Sequence, residues 1–150
     1  MILRIILGMV ILIGALAPFA TAATQPTEEQ KAVVTDKINA AVEAAQNWLA
    51  IVDNGRYEES WDKAAQFFKD KVPQGQWETS LRQVRSPLGK ASSREIANVQ
   101  YATSMPGAPA GEYVVIQFKT KFEQKPDSIE TITPMLGADG QWYVSGYYIK

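Results

Sequence analysis

The sequence predicts an α+β domain in which three N-terminal helices pack on one face of a curved, four-stranded antiparallel meander. Three observations lead there. Apolar residues recur at spacings of three and four from Val34 to Val84, then alternate with period two from about Ser93 to the C-terminus. The stretch Glu112 to Phe122 carries the cleanest alternation, with Val114, Ile116, Phe118, Thr120 and Phe122 on one side and Gln117, Lys119 and Lys121 on the other. Asp139-Gly140 stands between two β-rich runs, a strong hairpin signal. Helices in one block and strands in the next give helices segregated to one face of a sheet.

The first residues are set apart from the fold. Arg4 supplies a positive start, Ile5 to Leu16 is an almost unbroken apolar run, Pro18 interrupts it, and Ala20-Thr21-Ala22 has the small-x-small form of a cleavage site. Residues 1–23 are therefore read as a signal peptide and 24–150 as one domain, with a periplasmic or secreted destination. The other reading is an uncleaved membrane anchor, since the run approaches the roughly 20 apolar residues that a bilayer needs. Loss of Arg4 leaves 14 basic and 16 acidic residues, a net charge of −2.

The first helix opens at Thr27, with Gln30 three residues on and Glu28 and Glu29 in the first turn, where the helix dipole favours acids. Val34, Ile38, Ala41, Ala45, Trp48 and Val52 form its stripe, widened by Val42 and Leu49. Asp53-Asn54-Gly55 ends it, Gly55 being suited to a left-handed cap. A second helix carries Tyr57, Trp61, Ala64 and Phe68 on its inner side and stops at Val72-Pro73-Gln74-Gly75. A third runs from about Gln76 to Arg85 with Trp77, Leu81 and Val84 inward, closed by Pro87.

The first strand covers Ser93 to Thr103. A Pro- and Gly-rich loop, 106–111, leads to the strand at Glu112–Phe122. Gln124 to Ser128, with Pro126-Asp127 inside, reads as a turn. The third strand has Ile129, Thr131, Thr133 and Met135 in one row and Glu130, Ile132, Pro134 and Leu136 in the other. Pro134 suggests an edge or an early end. The last strand, Gln141 to Ile149, is large on both faces: Trp142, Val144, Gly146 and Tyr148 alternate with Tyr143, Ser145, Tyr147 and Ile149. One row is expected to face the helices. The other is either a scatter of surface aromatics or a binding or dimer surface.

Composition narrows the chemistry. The chain has no Cys, hence no disulfide framework and no thiol nucleophile, and no His, hence no imidazole base or imidazole metal ligand. Ser-His-Asp and Cys-His catalysis and ordinary zinc sites are excluded. With a pI near 5.5 the chain lacks the basic stripe expected of a nucleic-acid binder. Asp53, Glu58, Glu59 and Asp62 do not follow calcium-loop spacing and read as a helix cap and a solvated face. No metal or other cofactor is expected.

The candidate site residues are Tyr57, Trp61, Trp77, Arg85, Arg94, Glu130, Trp142 and Tyr147. Trp and Tyr on inner helical faces are either core or the lining of a small apolar pocket at the open end, because their polar tips need partners. Arg85, at the border of the third helix's stripe, needs a carboxylate if buried, and Glu130 is the expected partner. Arg85 and Arg94 could instead form an anion-binding pair at a pocket mouth.

These readings support an exported, non-catalytic binding or accessory module for a small hydrophobic molecule, a peptide or a protein, with homodimerisation through the outer sheet face expected. One alternative is a small cofactor-free enzyme using a buried carboxylate and Tyr57 or another tyrosine. Another is an envelope protein docking a larger assembly through the outer sheet face.

Several motifs also resemble a known family. Trp48-Leu49, Asp53-x-Gly55-x-Tyr57, Ser60-Trp61, Trp77, Arg85-x-Pro87-Leu88-Gly89, Ser93-Arg94, Pro106-Gly107, Tyr113-Val114-Val115, Glu130-Thr131 and Gly140-x-Trp142-x-Val144-Ser145-Gly146-Tyr147-Tyr148 together are similar to the bacterial domain-of-unknown-function family DUF4019. The resemblance covers nearly the whole domain. It implies a small exported α+β fold of nuclear-transport-factor-2-like or cystatin-like type, brings no accepted activity, and draws attention to Arg85, Arg94 and Glu130.

Overall fold

A computed structural model describes residues 25–150; the proposed signal peptide lies outside the described residues. Helix α1 spans Glu28–Asp53. Its start is the expected capping box: the Thr27 hydroxyl accepts from the Gln30 amide at 3.2 Å, and the Gln30 side chain accepts from the Thr27 amide at 2.9 Å. Gly55 at φ 70° turns the chain out of the helix. Ala41, Ala45, Trp48, Leu49 and Val52 are buried, so the second half of α1 carries the core contact.

The expected second helix is two short ones, α2 at Tyr57–Asp62 and α3 at Gln66–Lys71. The break has a tertiary cause. Ala64 and Ala65 are buried, and the Ala65 amide donates to the Val144 carbonyl at 2.8 Å, covering the edge of the sheet. An uninterrupted helix would have kept that amide for itself. Helix α4, Gln74–Arg85, buries Trp77, Leu81 and Arg85 and runs into a 3₁₀ turn at Ser86–Leu88.

The strands are β1 (Ala91–Ala102), β2 (Tyr113–Phe122), β3 (Lys125–Leu136) and β4 (Trp142–Ile149). They pair antiparallel in the order β1-β2-β3-β4. The helices lie against this sheet, so the class is α+β as expected. The inward row of β2 is Val114, Ile116, Phe118, Thr120 and Phe122, all buried. Tyr113 is also buried, on the opposite side, because the loop before it folds back and its hydroxyl donates to the Pro109 carbonyl at 2.6 Å. Among the described residues no helix is long and apolar enough to cross a membrane.

Three details of the strands differ from the sequence reading. Residues 125–128 belong to β3, with the turn confined to Glu123 and Gln124. Pro126 is tolerated because β4 ends at Ile149 opposite Glu130 and Lys150 extends the pairing only to Ile129, which leaves residues 125–128 of β3 with a strand neighbour on one side only among the described residues. Pro134 marks neither an edge nor an end; β3 is central, and the proline sits at a register shift between Thr133 and Pro134. That shift makes Ser145 an extra residue on β4, since Gly146 pairs with Thr133 and Val144 with Pro134. Neither of the two alternating rows read from the sequence is therefore continuous. Trp142 and Val144 face the helices before the bulge, and Tyr147 and Ile149 do so after it.

Candidate functional site

A similar bulge in β1, between Ile96 and Asn98, decides where Arg94 points. Before it, Arg94 pairs with Thr120, whose side chain is inward; after it, Val99 and Tyr101 take the inward row opposite Ile116 and Val114. One inserted residue thus lets a long polar side chain and an apolar pair share the inner face of an edge strand.

Arg94 meets Arg85, Glu130, Asp53, Thr120 and Tyr147 in one polar cluster, with Arg85, Thr120 and Glu130 buried, Arg94 and Tyr147 partly buried and Asp53 at its solvent-exposed rim. Glu130 is fully buried and accepts from four side chains. Arg94 Nε lies 2.6 Å from Oε2 and Thr120 Oγ1 2.5 Å from the same oxygen. Tyr147 Oη donates to Oε1 at 2.5 Å, with Arg85 Nη1 at 3.5 Å. Asp53 closes the other side. Arg85 Nη2 donates to Oδ1 at 2.6 Å, while Arg94 Nη1 and Nη2 reach Oδ2 and Oδ1 at 2.9 and 3.1 Å. The Arg85 guanidinium also lies 4.8 Å from the centre of the Phe122 ring. Two guanidinium groups and two carboxylates make the cluster neutral. Its hydrogen bonds tie together α1, α4, β1, β2, β3 and β4.

The sequence reading paired Arg85 with Glu130 and placed Asp53 in a cap beside a solvated acidic face; Asp53 instead belongs to the cluster. It sits at the C-terminal end of α1, where the helix dipole disfavours an anion. The two arginines hold it there. Burial works to raise its pKa, but hydrogen bonds from Arg94 and Arg85 prevail and keep it below the usual carboxylate value. Burial, reinforced by the Glu130 charge, raises the pKa of the Tyr147 phenol, so this hydroxyl stays a donor.

A pH dependence follows from Asp53. Because its folded pKa is depressed, its stabilisation is complete above the unfolded value of about 3.9 and is lost as pH falls toward the folded value. Asp53→Asn is expected to lose about 1 kcal/mol at neutral pH, the scale of charge-assisted hydrogen bonds reduced by solvent screening at this exposed residue. The gap between wild type and variant should shrink as pH drops below about 4. Urea midpoints measured for both proteins down this pH range check it; a gap that stays constant rules the coupling out.

The aromatic candidates form a second, adjoining group. Tyr147 stacks edge-on against Trp48 at 5.4 Å, Trp48 lies 6.0 Å from Trp77, and Phe68 meets Trp77 edge-on at 5.0 Å. The indole N–H groups are satisfied within the protein. Trp48 donates to the Ser60 carbonyl at 2.7 Å and Trp77 to the Ser60 hydroxyl at 3.0 Å. Trp61 donates to the Val72 carbonyl at 2.7 Å. Ser60, fully buried, was not a sequence candidate, and only its place in the Ser60-Trp61 motif hinted at it.

The eight candidates therefore do not line one pocket. Arg85, Arg94, Glu130 and Tyr147 meet in the polar cluster. Trp77 and Tyr147 also border a groove of about 200 Å³ between α4 and β4. Tyr57 borders a polar groove of about 410 Å³ beside Glu78 and Arg82. Trp61 is half-buried under Lys69, whose Nζ lies 5.8 Å from its ring. Trp142 lines a groove of about 370 Å³ with Ala44, Ile51 and Tyr143. That groove shares Asp62 and Tyr143 with a neighbour of about 580 Å³ walled by Ala64, Ala65, Phe67, Met135 and Leu136. Together they make an apolar furrow from α1 across the α2–α3 turn to the β3–β4 hairpin. Among the described residues, no cluster of three acids could hold a metal ion.

No curated protein matches the chain. A 2.5 Å structure from Catenulispora Acidiphila is similar at 13% identity, over 81% of this chain and 93% of that one, with a TM-score of 0.45. The profile of a family described as "Protein of unknown function (DUF4019)" matches residues 44–147, most of the described domain, and the chain belongs to that family.

Proposed function

We propose that this protein is an exported, non-catalytic binding module that holds a small hydrophobic molecule or an apolar peptide segment in the furrow around Trp142 and Tyr143. The observation that carries this reading is the state of Glu130. An acid–base enzyme of this shape needs an inward carboxylate free to exchange a proton, whereas Glu130 is taken up by two arginines, a threonine and a tyrosine. Its role is to fix the elements around it. The furrow supports the second half of the proposal: its walls are mostly apolar, and Asp62 and Asp139 stand among its polar lining residues. Export rests on the N-terminal segment, through its charged start, apolar run and small-residue cleavage pattern.

Native mass spectrometry of protein purified from its own cell envelope tests the reading. A retained small molecule or peptide is expected on wild type and should be lost from Trp142→Ala and Tyr143→Ala. The same ligand on Tyr57→Ala would remain, because Tyr57 borders a different groove. Retention on both furrow variants would overturn the assignment of the site.

A further inference from the structure

The two edges of the sheet are protected unequally. Edge strand β1 carries Arg94 and Glu95 and has register shifts at Ala91/Ser93 and Ile96/Asn98, all devices that discourage a further strand. The start of β4 is covered by Ala65, whose amide bonds the Val144 carbonyl. Beyond the Ser145 bulge, no further register shift and no covering backbone amide occurs among the described residues, and Lys150 is the one charge. Ile129 and Lys150 exchange both backbone hydrogen bonds, at 3.0 and 2.9 Å. Antiparallel pairs alternate, so Tyr148 and Gly146 bond back to β3, and the N–H and C=O groups of Tyr147 and Ile149 turn to the open edge. No backbone partner meets them among the described residues. Beside them lies the groove of about 200 Å³ formed with Trp77, Ser80, Leu81 and Val84. Two of the exposed large apolar side chains, Val84 at 46% and Tyr148 at 49%, stand on this groove.

We propose that this edge pairs with the same edge of a second copy of the chain, β4 antiparallel to β4 about a two-fold axis at Tyr148. The strand is complementary to itself in this register. Tyr147 of one copy faces Ile149 of the other, and each outward N–H meets an outward C=O, giving four backbone hydrogen bonds across the axis. Tyr148 meets its own mate in a non-hydrogen-bonded pair, where cross-strand side chains come closest. Lys150, the charged residue of this segment, falls opposite Gly146 rather than another lysine, and its ammonium already lies 5.7 Å from the Tyr148 ring. The contact is centred on a short strand end, well under the roughly 1,200 Å² at the low end of stable interfaces, unless α4 adds Val84 and its neighbours. The dimer should accordingly be concentration-dependent. It differs from pairing through the outer sheet face, because the sheets join edge to edge.

Sedimentation equilibrium of the purified domain should show the mass rising from one chain toward two with concentration. Ile149→Pro removes an edge-facing donor and spares the ladder to β3, and Tyr148→Glu sets two like charges on the axis; both should return the mass to one chain while the far-UV spectrum is kept. The natural chain has no cysteine, so Tyr148→Cys offers a direct reading: non-hydrogen-bonded partners lie about 4.5 Å apart at Cα, within disulfide range. Under mild oxidation it should cross-link, and Glu95→Cys on the opposite edge should not. A wild-type chain that stays monomeric overturns the proposal, whether or not it takes up an extended peptide of another protein. So does a dimer indifferent to both edge variants. Neither result touches the furrow, whose ligand is read separately.

Discussion

Glu130→Leu is expected to cost about 3–5 kcal/mol, the range for removing one partner from a buried ionic group. The substitution keeps an apolar row intact beside Ile132 and creates no large cavity. What it removes is the acceptor for Arg94, Arg85, Thr120 and Tyr147 at once. Asp53 then faces two guanidinium groups alone, and the cluster carries one uncompensated positive charge. The folded state would survive only marginally, since domains of this size have about 5–15 kcal/mol in total. Urea midpoints of three proteins separate charge from packing. Glu130→Leu should be the least stable. Glu130→Leu with Arg94→Met removes one charge of each sign and should recover a large part of the loss. Arg94→Met alone should fall well below the double variant once the burial of its two partners is considered. Additive single losses would mean that Glu130 and Arg94 act independently, and the network account would fail.

How far such a cluster can be read before the structure is known depends on the kind of information each part carries. The inward row of β2 is legible because large or β-branched residues alternate with polar ones without a break from Ile116 to Phe122. The pairing of Arg85 with Glu130 is legible because each falls on or beside an apolar row, where a charge must find a partner. Asp53 is not: it follows an apolar stripe two residues before Gly55, and a cap explains it locally just as well. Only the bulge in β1, which turns Arg94 inward, brings a second arginine to it. Bulges are nearly invisible in sequence, since one inserted residue exchanges the two rows without changing their composition. That is why the last strand reads as large on both faces: its inward residues are drawn from one row before Ser145 and from the other after it. The division of the second helix is hidden for a different reason. Its apolar spacing continues through Ala64 to Phe68, and the cause of the break, the Val144 carbonyl, lies about eighty residues away in the chain.

Trp77→Ala should be nearly as damaging, at about 3–5 kcal/mol, and the reason bears on what the aromatic group is for. If Trp77 lined an open ligand pocket, truncating it would alter binding and cost little stability. Its ring instead touches Phe68, Trp48 and Tyr147, its residue is 7% exposed, and its N–H is held by the Ser60 hydroxyl. Deleting it would open a cavity beneath α4 and leave Ser60 without that donor. It would also loosen Tyr147, the hydroxyl of which belongs to the Glu130 cluster. Trp77→Phe keeps much of the apolar volume and loses the N–H, so its cost should fall nearer the 1–3 kcal/mol of an unsatisfied buried polar group. Thermal and urea unfolding of the two variants checks the order. If Trp77→Ala proves nearly neutral in stability and abolishes ligand retention, the aromatic group is the binding site and the furrow at Trp142 is not. The expected order, alanine far below phenylalanine and ligand retained by the phenylalanine variant, assigns the indole to holding α4 against α1 and β4.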